Sequence, residues 1–428
     1  MTPLTWSDLD AAGRAAALAR PPARRSPELV AGVSAILAEV RDGGWDALCR
    51  IATRIDGSEP TQVAVAPIAA AARTSLPADA VAAMELAAVN ILRFHEASRP
   101  ADTGIETMPG LLVEKVWRPL DRVGLYVPGG ATPLFSTLLM LALPARAAGV
   151  REIVVVTPPS PDGLDSAIAV AADLCGIESV WTVGGAQAIA ALAFGAGDIP
   201  ACPKICGPGN AWVAEAKTQA SALAGGPAID MPAGPSELMV IADRSASPPT
   251  VAADLLSQAE HDASAQVLLV TDSAEVAFAV IGEVARQVSD LPRADLARRS
   301  LDHGRATIVS DLAKAAAVAN AYAPEHLCLA VDDPEPLVRA INNAGAIFAG
   351  HAAAESFGDY LAGSSHVLPT DGAARAWSGI TVHSFMKAIS IQRVSAEAGR
   401  ALAAPAAALA RLESLEAHAR AAEARAAA

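Results

Sequence analysis

The sequence predicts an α/β protein made of two parallel-sheet sandwiches with small helical pieces at the two ends. From about residue 120 onward, short β-branched runs alternate with helical stretches, the pattern of parallel strands covered by crossover helices. Each run gives way to Gly, Pro or a helical segment. The 428 residues also exceed what one hydrophobic core usually organises, so two or more domains are expected.

Taken in order, strands are expected at 123–127 (VGLYV), 153–157 (IVVVT), 180–183, 238–241 (LMVI), 267–271 (VLLVT), 307–310 and 346–349, each short and apolar. Helices are expected at 137–148, 165–174, 186–194, 211–222, 250–261 and 274–288. The first hundred residues read as mostly helical, with amphipathic stretches at 26–40 and 79–95 and a loop at 99–110. The last stretch, 395–428, is alanine-rich and helical in propensity, with Pro405 breaking or starting a segment. There is no exact internal repeat, although the βα blocks before and after about Gly234 read as two similar sandwiches.

Composition narrows the function classes. Apolar residues make up 52% of the chain, but alanine supplies much of that, and no uninterrupted run reaches the roughly 18 residues a membrane span needs. The N-terminus mixes acids and arginines early and lacks a basic start followed by an apolar core, so a cytoplasmic location is expected. Cys49, Cys175, Cys202, Cys206 and Cys328 are an odd, scattered set, expected as reduced thiols rather than a disulfide framework. Cys202 and Cys206 have no second pair and read as structural, not as zinc ligands. A net charge of -14 argues against nucleic acid and anionic membranes as partners and is compatible with a cationic small molecule.

Three Gly-rich turns read as strand-to-helix connections: Pro128-Gly129-Gly130, Gly184-Gly185-Ala186-Gln187 and Gly207-Pro208-Gly209-Asn210. Each alone reads as a tight βα turn. Three at the carboxyl ends of parallel strands would line one crevice where nucleotides sit, with Tyr126, Gln187 and Asn210 available to contact them. Gln258 and His261 stand three apart in an expected helix, so both point from one face. Alone, the segment reads as a solvated helix face; a metal site needs more ligands, and imidazole with an amide oxygen suits zinc better than magnesium.

Glu325 and His326 are adjacent, after Pro324 and before the apolar run 327–331. Neighbours in a strand face opposite ways, so both reach one cleft only at a strand's end. Such a pair suits proton transfer; alone, it reads equally as a solvated loop. Asp359 and His366 add a carboxylate and an imidazole in a glycine-punctuated loop. Glu413 and His418 are five apart, roughly 140° around an ideal helix, so a shared target requires the helix to end or bend between them.

Together these segments resemble the histidinol dehydrogenase family along nearly the whole chain. The resemblance rests on GLYVPGGATPLFSTLLML, VGGAQAIAALAFG, KICGPGNAWVAEAK, IDMPAGPSELMVIAD, DLLSQAEH, APEHL, GDYLAGSSHVLPT and LARLESLEAHA. It implies sequential oxidation of L-histidinol to L-histidinal and L-histidine with two NAD⁺ reduced. It further implies one Zn²⁺ per subunit, held by Gln258, His261, Asp359 and His418 and orienting the substrate. His326 would take the alcohol proton and Glu325 would activate water against the aldehyde. Ser236 and Glu413 would bind substrate with Gln258, His261, His326, Asp359 and His418, while Tyr126, Gln187 and Asn210 line the NAD site. The family is a homodimer whose tail crosses to the partner's site. This chain departs from the family pattern at Ser365, where asparagine commonly precedes His366, and at Ser414, within the usual Glu-Gly-Leu.

The implied organisation is a helical segment at 1–24, a first Rossmann-like domain at 25–122 with 236–375 carrying the metal and catalytic residues, a second at 123–235 on the NAD side, and a helical tail at 376–428 crossing to the partner. Three rival readings stand beside it. They are a zinc- and NAD-dependent dehydrogenase of another small alcohol such as a sulfonated diol, a metallohydrolase using Glu325 or His326 on a metal-bound water, and a metal-binding scaffold.

Overall fold

A computed structural model describes residues 1–21, 25–129, 133–161, 163–231 and 234–426. Gly130, part of the first Gly-rich turn, lies outside the described residues. Two six-stranded sheets organise the chain. The first runs in the order Thr2–Thr5, Arg305–Ile308, Gln266–Thr271, Glu237–Ala242, His326–Ala330, Ala346–Ala349, and all its pairings are parallel. The second runs Thr61–Ala64, Ser179–Thr182, Glu152–Thr157, Arg122–Tyr126, Lys204–Cys206, Ala228–Ile229 and is parallel except at its first strand.

Sheets covered on both faces need apolar residues on both, so their central strands read as continuous apolar runs. Glu237–Ala242 and Gln266–Thr271 are buried at every residue. Alternate side chains then serve opposite cores: Leu238, Val240 and Ala242 pack to one side of the first sheet, Met239 and Ile241 to the other. In the second sheet Val123 and Leu125 face one core, and Tyr126, Val154 and Val156 the other. The helix Phe135–Ala148 is buried almost all round, between that sheet and the helices Ala78–Ala97 and Ser166–Leu174.

The α/β expectation holds, and the seven expected strands and six expected helices all form, to within two residues at each end. Several other expectations do not hold. Residues 1–24, expected to be helical, open with the strand Thr2–Thr5 on the edge of the first sheet, and only Ala11–Ala17 is α-helical among their described residues. The sequence groups 25–122 with 236–375, whereas Pro27–Ile55, Val65–Ser75 and Ala78–Ala97 pack on the second sheet. The cause is local: Leu29, Val33, Ile36 and Val40 form an apolar stripe that meets Ile189 and Val213 in one core. The expected loop at 99–110 contains the strand Thr103–Met108, which joins Leu111–Pro119 and Met386–Val394 in a three-stranded antiparallel sheet. Thr103–Met108 is exposed at nearly every residue, so it lacks the apolar run that marks a strand.

The tail is therefore not purely helical, and Pro405 sits inside the helix Ala396–Leu412 rather than at a break. The break comes at Ser414, whose φ of +61 separates that helix from Glu416–Glu423. A left-handed residue after a helix is most often glycine, which has no Cβ to strain. S414G is expected to stabilise the protein by up to about 1 kcal/mol, because relieving a left-handed side chain (about 1–2) outweighs the extra unfolded-state entropy of glycine (about 0.4–1). Thermal or urea unfolding measures this, and an unchanged or lower midpoint would show that Ser414 carries no strain.

Candidate active site

His326 opens the strand His326–Ala330, pairing with Leu238 on one side and Ala346 on the other, and Glu325 immediately precedes it. The adjacent pair thus lies at the N-terminal mouth of a parallel strand, where two neighbours can share a cleft. Both are buried, at 5% and 4% exposure. The backbone of one residue serves both: the Glu237 N–H donates to Glu325 Oε2 at 2.8 Å, and His326 Nδ1 lies 3.1 Å from the Glu237 carbonyl. A carbonyl only accepts, so Nδ1 carries a proton, and in the neutral ring Nε2 holds the lone pair. The ring stacks on Phe348 at 6.0 Å between centroids.

Carboxylates surround this imidazole. Glu325 Oε2 and Glu355 Oε1 lie 3.6 Å and 3.5 Å from Nδ1, and Asp359 Oδ1 lies 3.6 Å from Nε2. Burial opposes charge on His326, but Glu325, Glu355 and Asp359 outweigh it and raise its pKa. Burial pushes the Glu355 carboxyl up to about 7 and raises that of Glu325, with His326 pulling each back. Asp359 is also buried, yet its contact with His326 holds it below the usual carboxylate range.

Glu355 is a residue the sequence reading missed. It stands four before Asp359 on the short helix Glu355–Tyr360, where an i, i+4 pair shares a face, and its Oε2 accepts from Ser257 Oγ at 3.2 Å. That spacing was a usable signal; treating 358–366 as a loop hid it. His366 supports Asp359 from behind. Its Nδ1 lies 2.9 Å from the Asp359 carbonyl, its Nε2 3.3 Å from Thr137 Oγ1, and burial lowers its pKa. Ser365 Oγ accepts from Val367 N and donates to the Met140 carbonyl, so it ties this loop to the helix Phe135–Ala148.

Gln258 lies in the last turn of the helix Pro248–Ala259 and is 1% exposed. Its Oε1 is buried without a hydrogen-bond partner, as is His326 Nε2. His261 falls beyond the helix end, correcting the expectation of a shared helical face, and a turn bond from its N–H to the Gln258 carbonyl (3.2 Å) holds the two together. Burial lowers the His261 pKa, against the opposing pull of nearby Asp359. Ser236, half-buried, precedes Glu237, and its carbonyl accepts from Gln266 N at 3.1 Å.

The Gly-rich turns gather at the carboxyl ends of the second sheet. The strand order reverses between Arg122–Tyr126 and Lys204–Cys206, the place where open α/β sheets form a crevice. Tyr126 Oη accepts from Gly185 N at 3.3 Å, and one oxygen of Asp56 accepts from both Gly184 N and Gln187 Nε2 at 3.0 Å. Asn210 caps the helix Ala211–Ser221 through Oδ1, which leaves its exposed amide nitrogen as a donor. Beneath, the buried Lys217 bridges the Gly207 carbonyl and Asp230, whose other oxygen accepts from Gly207 N at 2.7 Å. Glu413 and His418 stay apart from all of this, exposed on the tail. Among the described residues, no hydrogen bond or ion pair joins either to the cluster around His326.

The family model for histidinol dehydrogenase matches residues 19–426. The chain belongs to the histidinol dehydrogenase family. Histidinol dehydrogenase of Xylella fastidiosa is 48% identical over 421 residues, covering 98% of this chain and 97% of the relative. That of Salmonella typhimurium is 45% identical over 418 residues, covering 97% and 96%. The crystal structure of histidinol dehydrogenase from Elizabethkingia anophelis matches with a TM-score of 0.94 at 37% identity, covering 99% of this chain and 98% of that one. The resemblance read from the motifs is borne out, and membership of the histidinol dehydrogenase family favours an NAD-dependent oxidoreductase over a hydrolase or scaffold.

Gly207 offers a direct check on the crevice. Its φ is +129, and an added Cβ would lie 2.1 Å from the Tyr126 carbonyl oxygen, a backbone atom that cannot swing away. G207A is expected to cost about 2–3 kcal/mol, or to prevent folding, through backbone strain and clash. Urea unfolding reads the loss, and a change below about 0.5 kcal/mol, the usual range of a neutral surface substitution, would show that the turn does not need this close approach.

Proposed function

We propose that the protein catalyses two successive NAD-dependent oxidations, of L-histidinol to L-histidinal and of L-histidinal to L-histidine, in the cytoplasm. The observation that carries the mechanism is the buried Glu325–His326 pair held by the Glu237 backbone N–H and C=O, beside a partnerless Gln258 Oε1. No helix among the described residues is long and apolar enough to cross a membrane.

The residues fit zinc. A buried amide oxygen without a donor, an imidazole that burial keeps neutral and a carboxylate held ionised are the donor states a zinc ion requires. Gln258, His261 and Asp359 would hold it, with His418 of the partner subunit as the fourth ligand and Glu413 beside it on the substrate. Among the described residues of one chain, no three His, Cys, Asp or Glu side chains form a metal-holding group; of these residue types, only His261 and Asp359 in the proposed set would come from the same chain at one site. Tyr126, Gln187 and Asn210 would hold NAD at the crevice.

When bound, zinc orients the substrate's amine and imidazole and offsets the carboxylate field around His326, while NAD accepts the hydride of each oxidation. His326 receives the hydroxyl proton on Nε2, the nitrogen left free by the Glu237 carbonyl, as hydride leaves the carbinol carbon. The resulting aldehyde has no hydroxyl proton to give up. Glu325 therefore takes a proton from water as its oxygen adds to the carbonyl carbon, His326 returns its proton to the carbonyl oxygen to complete the gem-diol, and the neutral imidazole then takes a gem-diol proton as the second hydride leaves. Glu355 stands beside His326, and Ser236 would bind substrate. The concentration of acids suits a cationic amino alcohol, whereas a sulfonated diol would call for an arginine free to pair with it.

The purified protein with zinc is expected to form two NADH for each histidinol consumed. A chelator should abolish this and added zinc restore it. One NADH per histidinol, or activity indifferent to chelation, would overturn the reading. E325Q is expected to slow aldehyde oxidation by about 10²-fold or more while leaving alcohol oxidation much less affected. Rapid-mixing assays that start from histidinol and from histidinal separate the two, and an equal loss in both would remove the division of labour between Glu325 and His326.

A further inference from the structure

The Glu237 backbone holds both proposed bases, yet its side chain points into a second, partly buried network. One carboxylate oxygen accepts from Arg20 Nε, and the other accepts from the same guanidinium at 2.9 Å. Asp371 N donates to Glu237 Oε1 at 2.9 Å. The Arg20 guanidinium lies flat over the Tyr322 ring, 3.9 Å from its centroid, and donates to the Tyr322 carbonyl at 2.9 Å. Tyr322 Oη in turn donates to Gln266 Oε1 at 2.8 Å, and Gln266 Nε2 returns to the Ala19 carbonyl at 2.9 Å. The N-terminal segment is thus stapled to the chain immediately before the catalytic strands.

We propose that Arg20 and Glu237 are positioning residues for the reaction. By clamping the Glu237 side chain, Arg20 fixes the backbone of that residue, whose N–H aims Glu325 Oε2 and whose C=O sets the tautomer of His326. This deepens the base assignment under the proposed function and rests on it. The two hydrogen bonds to the bases run through the N–H and C=O of one residue, so a small rotation of Glu237 moves both bases together. A two-point guanidinium–carboxylate pair resists that rotation as a single contact would not. Fold stability alone does not call for the pair, because a well-packed apolar side chain commonly serves a buried position as well as an ion pair does. The pair acts through the Glu237 backbone; the Glu237 carboxylate also repels that of Glu325, a smaller influence there than burial.

The test uses the zinc-loaded full-length enzyme, with rates expressed per bound zinc. R20M and E237Q are each expected to lower kcat by about tenfold or more, with KM for histidinol and NAD within about twofold of wild type, since misplaced catalytic groups cost turnover rather than binding. The double variant is expected to be no slower than the worse single variant, because the two residues act as one device. Guanidinium ion added to R20A should restore part of the rate. If R20M does not fold, R20K, which keeps the charge but loses the fork, carries the same readouts. The inference is overturned if kcat per zinc stays near wild type while only the unfolding midpoint falls, if the losses add, or if KM rises as kcat falls. Should E325Q and H326N leave both oxidations intact, the base assignment itself fails; a slow E325Q beside an unaffected R20M defeats this inference alone.

Discussion

The parallel register between Glu237–Ala242 and His326–Ala330 is the constraint on which the site depends. Leu238 pairs with His326, so Glu237 and Glu325 both stand just outside the ladder, at the same mouth of the sheet. Backbone groups that a longer ladder would consume are left to bond side chains instead. The Glu237 N–H and C=O serve Glu325 and His326, and an additional pair of ladder residues there would remove them. The site therefore exists where the sheet stops, and the apolar continuity of the strands decides where that is.

Burial at this mouth creates an electrostatic problem. Glu325, Glu355 and Asp359 surround a single imidazole, and the low exposure of all four groups raises two of the carboxyl pKa values. Like charges in a poorly solvated pocket are stable only with compensating positive charge. His326 supplies one such charge. A divalent ion on Gln258, His261 and Asp359, or a cationic substrate, would supply more, and so the acids that repel one another are the ones that would favour the pocket's proposed occupants. The second sheet meets this pocket through Thr137 and His366, which couple the start of Phe135–Ala148, just after the first Gly-rich turn, to the Asp359 backbone.

What the sequence revealed follows from what each residue answers to. Strands such as 238–241 and 267–271 were readable because burial on both faces forces an unbroken apolar run. Thr103–Met108 was not, because its stability comes from pairing with an adjacent strand that itself pairs with Met386–Val394, and its own residues are mostly exposed. Which sheet the early helices cover was equally hidden, since an amphipathic stripe states that a partner exists without naming it. In the site, Gln258, His261, Asp359, Glu325 and His326 stood out as unusual polar residues in recognisable segments. Glu355 and Glu237 did not, because an isolated glutamate acquires meaning only from the burial and the neighbours that folding gives it.

The tail shows the same dependence on context one level higher. On an ideal helix Glu413 and His418 diverge, and the left-handed Ser414 resolves this by ending one helix and starting another between them. Within one chain the outcome is unsatisfactory on two counts. Leu409, Leu412 and Leu415 are 66%, 84% and 40% exposed, and His418 has no place in the cluster it is proposed to complete. Apolar side chains grouped on an otherwise alanine-rich helix pair need cover, and the proposed metal set would take a fourth ligand. Both needs sit on the same short segment. The proposed crossing of the tail to a second copy meets them in one packing event, so that the surface driving association would also carry the missing ligand.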